Sequence, residues 1–247
     1  MSAFSKLSKL GLVLASPSRW LRTIKTLTAP ATEHLKLLRA LSPDTVIDVG
    51  ANKGQFSLAA RRALPVATII AFEPLPTQAS KYVINFSGDH RATLHPVALS
   101  DNSGTAVFHI TNRTDSSSLL APGPQQLAAY NVGEVSSIDV QCHRLDEFLR
   151  PDDLAGVVLL KLDVQGAEDR VIKGSVNILP FIQYVMLEAS FVELYCGQPT
   201  VNSIISLMNT LQFSLRAVHN ISVTRLFGQT QADLLFVNDS IINAAPA

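Results

Sequence analysis

The run Thr45-Val46-Ile47-Asp48-Val49-Gly50 constrains the fold more than any other part of the chain. It is short, largely apolar and β-branched, and it ends at a glycine. Residues 53–64 after it carry a helical pattern closed by Pro65. A strand with almost no polar face that turns straight into a helix belongs inside a parallel sheet covered on both sides. The rest of the chain repeats the alternation. Residues 67–72 form a second apolar run ending at Glu73-Pro74, 76–86 read as a helix, and 93–99 as a third strand. Residues 157–162 and 181–187 read as buried strands, 167–176 and 201–211 as helices, and 213–218 and 232–237 as the last strands. This pattern predicts a Rossmann-like α/β fold, mostly parallel, with helices on both faces.

One stretch breaks the alternation. Residues 105–110 and 135–142 alternate with period two, which predicts an extra β-hairpin insertion. Between them, 111–134 are rich in Ser, Pro, Gly, Asn and Gln. A loop of that length inside a compact domain is often functional, and a lid near the strand ends is the favoured reading.

The N-terminus differs from the rest. Residues 1–30 carry Lys6, Lys9, Arg19, Arg22 and Lys25 and no acid, with Phe4, Leu7, Leu10, Leu14, Trp20, Leu21, Ile24 and Leu27 at roughly helical spacing. Three readings stand: a basic amphipathic helix on an anionic membrane surface, an extension that packs on its own domain or on a partner subunit, and a signal peptide, against which the short run 11–15 and the Arg and Trp that soon follow it argue. The second is preferred. Residues 1–40 are assigned as a basic helical extension and 41–247 as one domain. Over the 247 residues, 20 Lys and Arg balance 20 Asp and Glu, which excludes a broad nucleic-acid-binding surface. Two cysteines, Cys142 and Cys196, exclude a disulfide framework and a cysteine zinc site and suit a reducing compartment. No apolar run reaches spanning length. The expected location is cytoplasmic, with peripheral attachment to the inner face of a membrane through residues 1–30 as the variant.

The segment Asp48-Val49-Gly50-Ala51-Asn52-Lys53-Gly54 falls on a strand-to-helix turn, where open α/β sheets bind ligands. Gly50 permits a sharp turn and close backbone approach. Gly54 opens the helix, whose N-terminal N–H groups favour an acid. The spacing is G-x-x-x-G rather than the dinucleotide pattern G-x-G-x-x-G, so a small acid-bearing ligand fits better than a pyrophosphate. Asp48 could accept from an ammonium group. Glu73 ends the next strand, 25 positions on, where a carboxylate takes both hydroxyls of a ribose. Its neighbours Phe72 and Pro74 make the surroundings partly apolar. A ligand with an amino-acid end and a ribose end is S-adenosylmethionine. A nicotinamide cofactor also suits Glu73, but the missing G-x-G-x-x-G argues against an oxidoreductase.

Residues 46–54 together with Ala71-Phe72-Glu73-Pro74 resemble the FkbM family of S-adenosylmethionine-dependent methyltransferases. Leu160-Lys161-Leu162-Asp163-Val164-Gln165-Gly166-Ala167-Glu168 resembles that family's fourth-strand motif, and Val97-Ala98-Leu99-Ser100-Asp101 its third-strand motif. The resemblance covers about residues 44–190. It implies a seven-strand methyltransferase sheet and methylation of a hydroxyl on a sugar, glycolipid, polysaccharide or secondary metabolite. It also implies that Gly50, Ala51 and Asn52 border the methionine part, that Glu73 binds the ribose, and that Ala98 and Leu99 lie near the adenine with Asp101 just beyond. Two positions depart from the family. Gln165 stands where Glu is usual, and Ser190 where many members have His. They keep open a catalytically inactive cofactor-binding or scaffold module.

Methyl transfer to oxygen requires alignment of three atoms and removal of a hydroxyl proton. Asp163, at the end of the fourth strand of the motif, is the first candidate for base or orienting carboxylate; capping the following helix is its competing role. Lys161, two residues earlier and on the same face, needs a partner, and Asp163 or Glu168 could supply it. Glu188, at the end of the next strand, could face the same pocket. Asp163 and Glu188 would then hydrogen-bond the substrate or share a divalent ion, the first being preferred. No histidine spacing marks a metal site. Of His34, His90, His95, His109, His143 and His219, only His109, beside the long loop, is a candidate base. Asp115-Ser116-Ser117-Ser118 is the part of the loop expected to line an acceptor pocket, and Arg61-Arg62 reads as an exposed helix face.

Overall fold

The computed structural model describes residues 17–242. In chain order the strands are β1 (Thr45–Val49), β2 (Thr68–Phe72), β3 (Ala92–His95), β4 (Ala98–Leu99), β5 (Gly104–Thr111), β6 (Glu134–His143), β7 (Val158–Leu162), β8 (Tyr184–Ser190), β9 (Phe213–Thr224) and β10 (Gly228–Asn238). The helices are α1 (Pro17–Thr26), α2 (Leu35–Leu41), α3 (Gln55–Ala63), α4 (Pro76–Asn85), α5 (Pro124–Tyr130), α6 (Glu168–Lys173), α7 (Val201–Thr210) and α8 (Asp239–Ile242).

Seven strands form one sheet in the order β3-β2-β1-β7-β8-β10-β9. The first five are parallel, and β10 runs antiparallel to both β8 and β9. The apolar runs read from the sequence are therefore the sheet, and β1 and β7, buried at every residue, are its centre. The chain steps outward from β1 to β3, then returns on the opposite side of β1 as β7. The reversal puts a crevice at the C-terminal ends of β1 and β7, where ligands collect in such sheets.

The two sheet faces carry separate cores. Val46, Leu159 and Met186 pack against Leu35, Leu38, Phe56 and Ala59 of α2 and α3. Ile47, Val49, Leu160 and Leu187 pack against Val171, Ile172, Ile204 and Met208 of α6 and α7. The expected extension boundary at residue 40 falls inside α2, whose leucines belong to the first core.

Several sequence expectations need correction. The strand expected over 93–99 is two: β3 in the main sheet, and β4, which follows Pro96 and pairs parallel with β6. The insertion is thus a three-stranded sheet in the order β4-β6-β5. The 111–134 segment is not a structureless loop, because a 3-10 turn (Thr114–Ser116) and α5 occupy it. Arg61 is buried rather than exposed: its guanidinium donates to Asp89 at 2.7 Å and to the carbonyls of Leu64, Pro65 and Ala67.

The expected N-terminal helix is described only from residue 17, and Phe4, Lys6, Leu7, Lys9, Leu10 and Leu14 lie outside the described residues. α1 docks on the α4 end of the fold through polar contacts. Thr26 Oγ1 donates to Asn85 Oδ1 at 2.7 Å, and the Arg22 guanidinium donates to the Ser87 carbonyl. Leu21, Ile24 and Leu27 stay exposed. Among the described residues no helix is long and apolar enough to cross a membrane.

Candidate active site

Gly50 has φ +74°, and a Cβ there would stand 1.9 Å from the Asp163 carbonyl oxygen. Only glycine lets the turn after β1 lie against the turn after β7. The N–H groups of this turn are already used. Gly50 and Ala51 donate to the Phe72 carbonyl, Asn52 to Glu73 Oε2 at 2.8 Å, Lys53 to Asn52 Oδ1 at 2.8 Å, and Gly54 to the Ala51 carbonyl. The turn is therefore not the open anion cradle that its glycines suggested. Gly54 faces away from the crevice, its Cβ position 2.8 Å from the Phe86 ring.

A cleft of about 630 Å³ opens at the strand ends. One part of its wall is Gly50, Ala51, Asn52, Phe72, Glu73, Pro74, Ala98 and Leu99; another is Lys161, Asp163 and Glu188. Eleven of the sequence candidates thus meet in one cavity. Asp48, Gly54 and Asp101 are not on its wall. Asp48 is fully buried, because its side chain points to the α3 face of the sheet, where Ser57 Oγ donates to it at 2.6 Å. It does accept from an ammonium group, but that group is Lys161 Nζ, at 3.0 Å from the paired position on β7. Asp101 lines a smaller hollow beside the second sheet with Ser100 and Arg170.

Lys161 is the hinge of the site's electrostatics. Burial alone would lower its ammonium, but Asp48 and Asp163 outweigh this and hold it above its ordinary value. Its Nζ lies 3.6 Å from Asp163 Oδ2 and donates to the Gly50 carbonyl at 3.3 Å. It does not pair with Glu168, which instead accepts from the N–H groups of Val164 and Gly166 and holds the turn after β7. Asp163 does not cap α6. Its Oδ1 accepts from Gln165 Nε2 at 2.7 Å, and the same amide donates to Glu188 Oε2 at 3.1 Å. Gln165 thereby bridges the two carboxylates. Burial and the carboxylates of Asp163, Asp233 and Glu168 push Glu188 well above the usual carboxylate range. Burial also pushes Glu73 up to about 7, against the N–H groups of Leu75 and Asn52 that bind its two oxygens.

Other segments, only one of them marked from the sequence, also line the cleft. His34 and Phe56 close one side, and the His34 imidazole is held below its ordinary value chiefly by burial. Residues 113–117 line it, including Asp115, Ser116 and Ser117 of the expected stretch; Ser118 is buried nearby. Gln126 and Tyr130 of α5, and Ser222 and Gln231 of the final hairpin, line the rest. The Pro at the start of 124–130 followed by good helix formers was a signal for α5. His109, the histidine singled out from sequence, lies outside the cleft and pairs with Glu134 at 2.9 Å. Cys142 and Cys196 are unpaired, and among the described residues no three His, Cys, Asp or Glu side chains group as a metal site.

The donor set suits a ligand with ribose and amino-acid ends. Each Glu73 oxygen takes one backbone N–H and keeps acceptor capacity towards the cleft. Gln55 also stands on the wall, beside the turn after β1. Phe72, Pro74, Ala98 and Leu99 make part of the wall apolar, which suits a flat ring. A doubly wound sheet with this cleft and this carboxylate defines a nucleoside-cofactor enzyme of the Rossmann-like class. A family model, the methyltransferase FkbM domain, matches residues 48–215. The 2-O-methyltransferase NoeI of Sinorhizobium fredii is 30% identical over 217 residues, spanning 83% of this chain and 89% of that one. The 31-O-demethyl-FK506 methyltransferase FkbM of Streptomyces tacrolimicus is 28% identical over 181 residues, spanning 63% and 68%. A solved structure of a candidate O-methyltransferase from Klebsiella pneumoniae shares the fold at 15% identity, with a TM-score of 0.50 over 96% of this chain and 97% of that one. The chain belongs to the FkbM methyltransferase family and is an S-adenosylmethionine-dependent methyltransferase.

Proposed function

We propose that the enzyme methylates a hydroxyl oxygen of a sugar, glycolipid, polysaccharide or other hydroxylated secondary metabolite. The observation that carries this reading is Asp163: a carboxylate with 41% of its side chain exposed, on the wall of the cofactor cleft at the end of β7. A hydroxyl nucleophile needs a base within reach, and a carboxylate at that edge supplies one. The names of both relatives place their chemistry at oxygen, which supports the same assignment here.

Bound S-adenosylmethionine supplies an electrophilic methyl carbon on a sulfonium. Glu73 would accept from the two ribose hydroxyls, with Gly50, Ala51, Asn52 and Gln55 at the amino-acid end and Ala98 and Leu99 beside the adenine. Asp163 would take the acceptor's hydroxyl proton on a carboxylate oxygen. Lys161, anchored by Asp48 behind the wall, fixes the position of Asp163. Glu188, held well above the usual carboxylate range by burial and its acidic neighbours, stands across the Gln165 amide from Asp163 and would hydrogen-bond the acceptor. Asp163→Asn is expected to lower turnover at least about 100-fold while leaving S-adenosylhomocysteine affinity within about threefold. Product is read by mass spectrometry and binding by calorimetry. Full activity in that variant removes Asp163 from the mechanism.

A further inference from the structure

The family-matched residues 48–215 supply the cofactor wall of the cleft together with Asp163 and Glu188. Part of the wall comes from outside that range: the segment before α2, which carries His34, and Ser222 and Gln231 of the final hairpin. These two outer parts meet at His34, whose Nδ1 lies 4.0 Å from Asp233 Oδ2 of β10. Asp233 is the register partner of Glu188, and directly opposed residues share one face of a sheet. The Phe56 ring gives a second fix. His34 packs edge-on against it with centroids 5.2 Å apart, and Lys161 Nζ lies 5.5 Å from the centroid of the same ring. Lys161 Nζ is in turn 3.6 Å from Asp163 Oδ2. Two independent paths thus set His34 at the end of the cleft that holds Glu188 and the proposed base.

This imidazole is held in place but not satisfied. The Ala31 N–H donates to the Gln55 carbonyl at 2.9 Å, which pins the segment to α3, and Asn220 Nδ2 donates to Asp233 Oδ2 at 2.7 Å. At 4.0 Å the Asp233 carboxylate is beyond hydrogen-bond reach, and among the described residues the ring makes no hydrogen bond. Its side chain is 13% exposed, and neither ring nitrogen is sealed inside the protein. Burial holds the ring below its ordinary value, so near neutral pH it presents one N–H donor and one bare nitrogen. A neutral group with both functions suits a hydroxyl, which also donates and accepts.

Resting on the hydroxyl-acceptor reading above, we propose that His34 is an acceptor-binding residue, its imidazole hydrogen-bonding a hydroxyl of a sugar acceptor. A bond made alike before and during methyl transfer sets KM and leaves kcat unchanged.

Two replacements separate the nitrogens from the ring. His34→Phe keeps a ring against Phe56 and removes both nitrogens, whereas His34→Gln keeps a donor and an acceptor and removes the ring. The probes are methyl pyranosides at saturating S-adenosylmethionine, with S-adenosylhomocysteine release as the readout. For the fastest pyranoside, His34→Phe is expected to raise KM about 10-fold, with kcat and calorimetric S-adenosylhomocysteine affinity within about threefold of wild type. His34→Gln is expected to keep KM within about threefold. The reverse pattern, with Gln raising KM and Phe preserving it, marks a packing role and overturns the proposal. So does a Phe variant that loses S-adenosylhomocysteine affinity while remaining folded, or one that loses kcat at unchanged KM. A further measurement needs no active variant. In wild-type protein with isotope-labelled histidine, the His34 ring signals, identified by their absence in His34→Gln, are expected to shift when the pyranoside joins the S-adenosylhomocysteine complex. Signals that stay in place overturn the proposal whether or not the Phe variant folds. Wild-type enzyme that binds S-adenosylhomocysteine but methylates no pyranoside refutes the sugar reading itself, and this proposal with it.

Discussion

Raising the pH from 6 to 8 is expected to tighten cofactor binding about tenfold through Glu73. Burial lifts this carboxyl to about 7 in the empty enzyme. Each of its oxygens already holds one backbone N–H, from Asn52 and Leu75. Two ribose hydroxyls need the remaining acceptor capacity of both oxygens, and a proton on either one converts an acceptor into a donor. Binding thus selects the ionised form, and apparent affinity scales with its population. With a pKa near 7 that population is roughly one-tenth at pH 6 and nine-tenths at pH 8, hence the factor of about ten. Glu73→Gln replaces one acceptor with an NH2 facing a backbone N–H. It is expected to weaken binding about 10- to 100-fold at pH 8 and to erase the Glu73 share of the pH dependence. Calorimetry with S-adenosylhomocysteine at pH 6, 7 and 8 measures this. Other groups of the ligand and the site also respond to pH, so the ratio of wild-type to variant affinity is the quantity to follow. Adenosine, which keeps the ribose and lacks the amine, serves as a second probe. A ratio that stays constant from pH 6 to 8 would falsify the assignment. The stability of the empty protein runs the other way. A folded value near 7 against an ordinary 4.5 means that the native state binds the extra proton. The resulting stabilisation, on the order of 3 kcal/mol, is complete below about pH 4.5 and is lost as the pH rises through 7.

Lys161→Met should leave Asp48 fully buried with Ser57 as its remaining side-chain partner, and lower stability by about 3–5 kcal/mol in urea unfolding. Adding Asp48→Asn should restore part of that loss; no restoration would show that Lys161 acts by packing rather than charge. The variant reading of the N-terminal helix, contact with an anionic membrane, is tested at the exposed Leu21 and Ile24. Leu21→Ser/Ile24→Ser is expected to shift the protein from anionic vesicles into the supernatant in co-sedimentation, while equal recovery of both proteins with vesicles would refute that role.

What was legible in the sequence was whatever local pattern encodes. The apolar runs of β1, β2, β7 and β8 have no polar face to hide, and the glycine turn after β1 is required by backbone geometry at Gly50. Glu73, Asp163 and Glu188 were found because a carboxylate at a strand end is unusual in an apolar run. Asp48 was misplaced for a reason visible only in three dimensions. Its register opposite Lys161 sets both on the α3 face, so the ion pair closes inside the sheet instead of opening to a ligand. The break at Pro96 was missed because 93–99 read as one strand, although Pro96 was the available signal. His34, Gln126 and Gln231 carry no local mark; they reach the cleft from segments far apart in the chain.

The balance of charge over the whole chain also conceals the charge of the site. Glu33, Glu73, Asp115, Asp163 and Glu188 stand on the cleft wall against Arg113 and Lys161. Lys161 is shared between Asp48 and Asp163, and Arg113 lies 3.5 Å from Asp115, so the acids on the wall outnumber the cations. Walls of low dielectric concentrate such a field. A cleft of this kind favours a ligand that enters with a positive charge. It also favours a reaction that converts that charge into a proton, because the carboxylates that attract the cation can then hold the proton. Burial and the same acids raise Glu188, which stands across the Gln165 amide from Asp163. Two carboxylates bridged by one amide thereby stand in different environments, with no difference in residue chemistry to announce it.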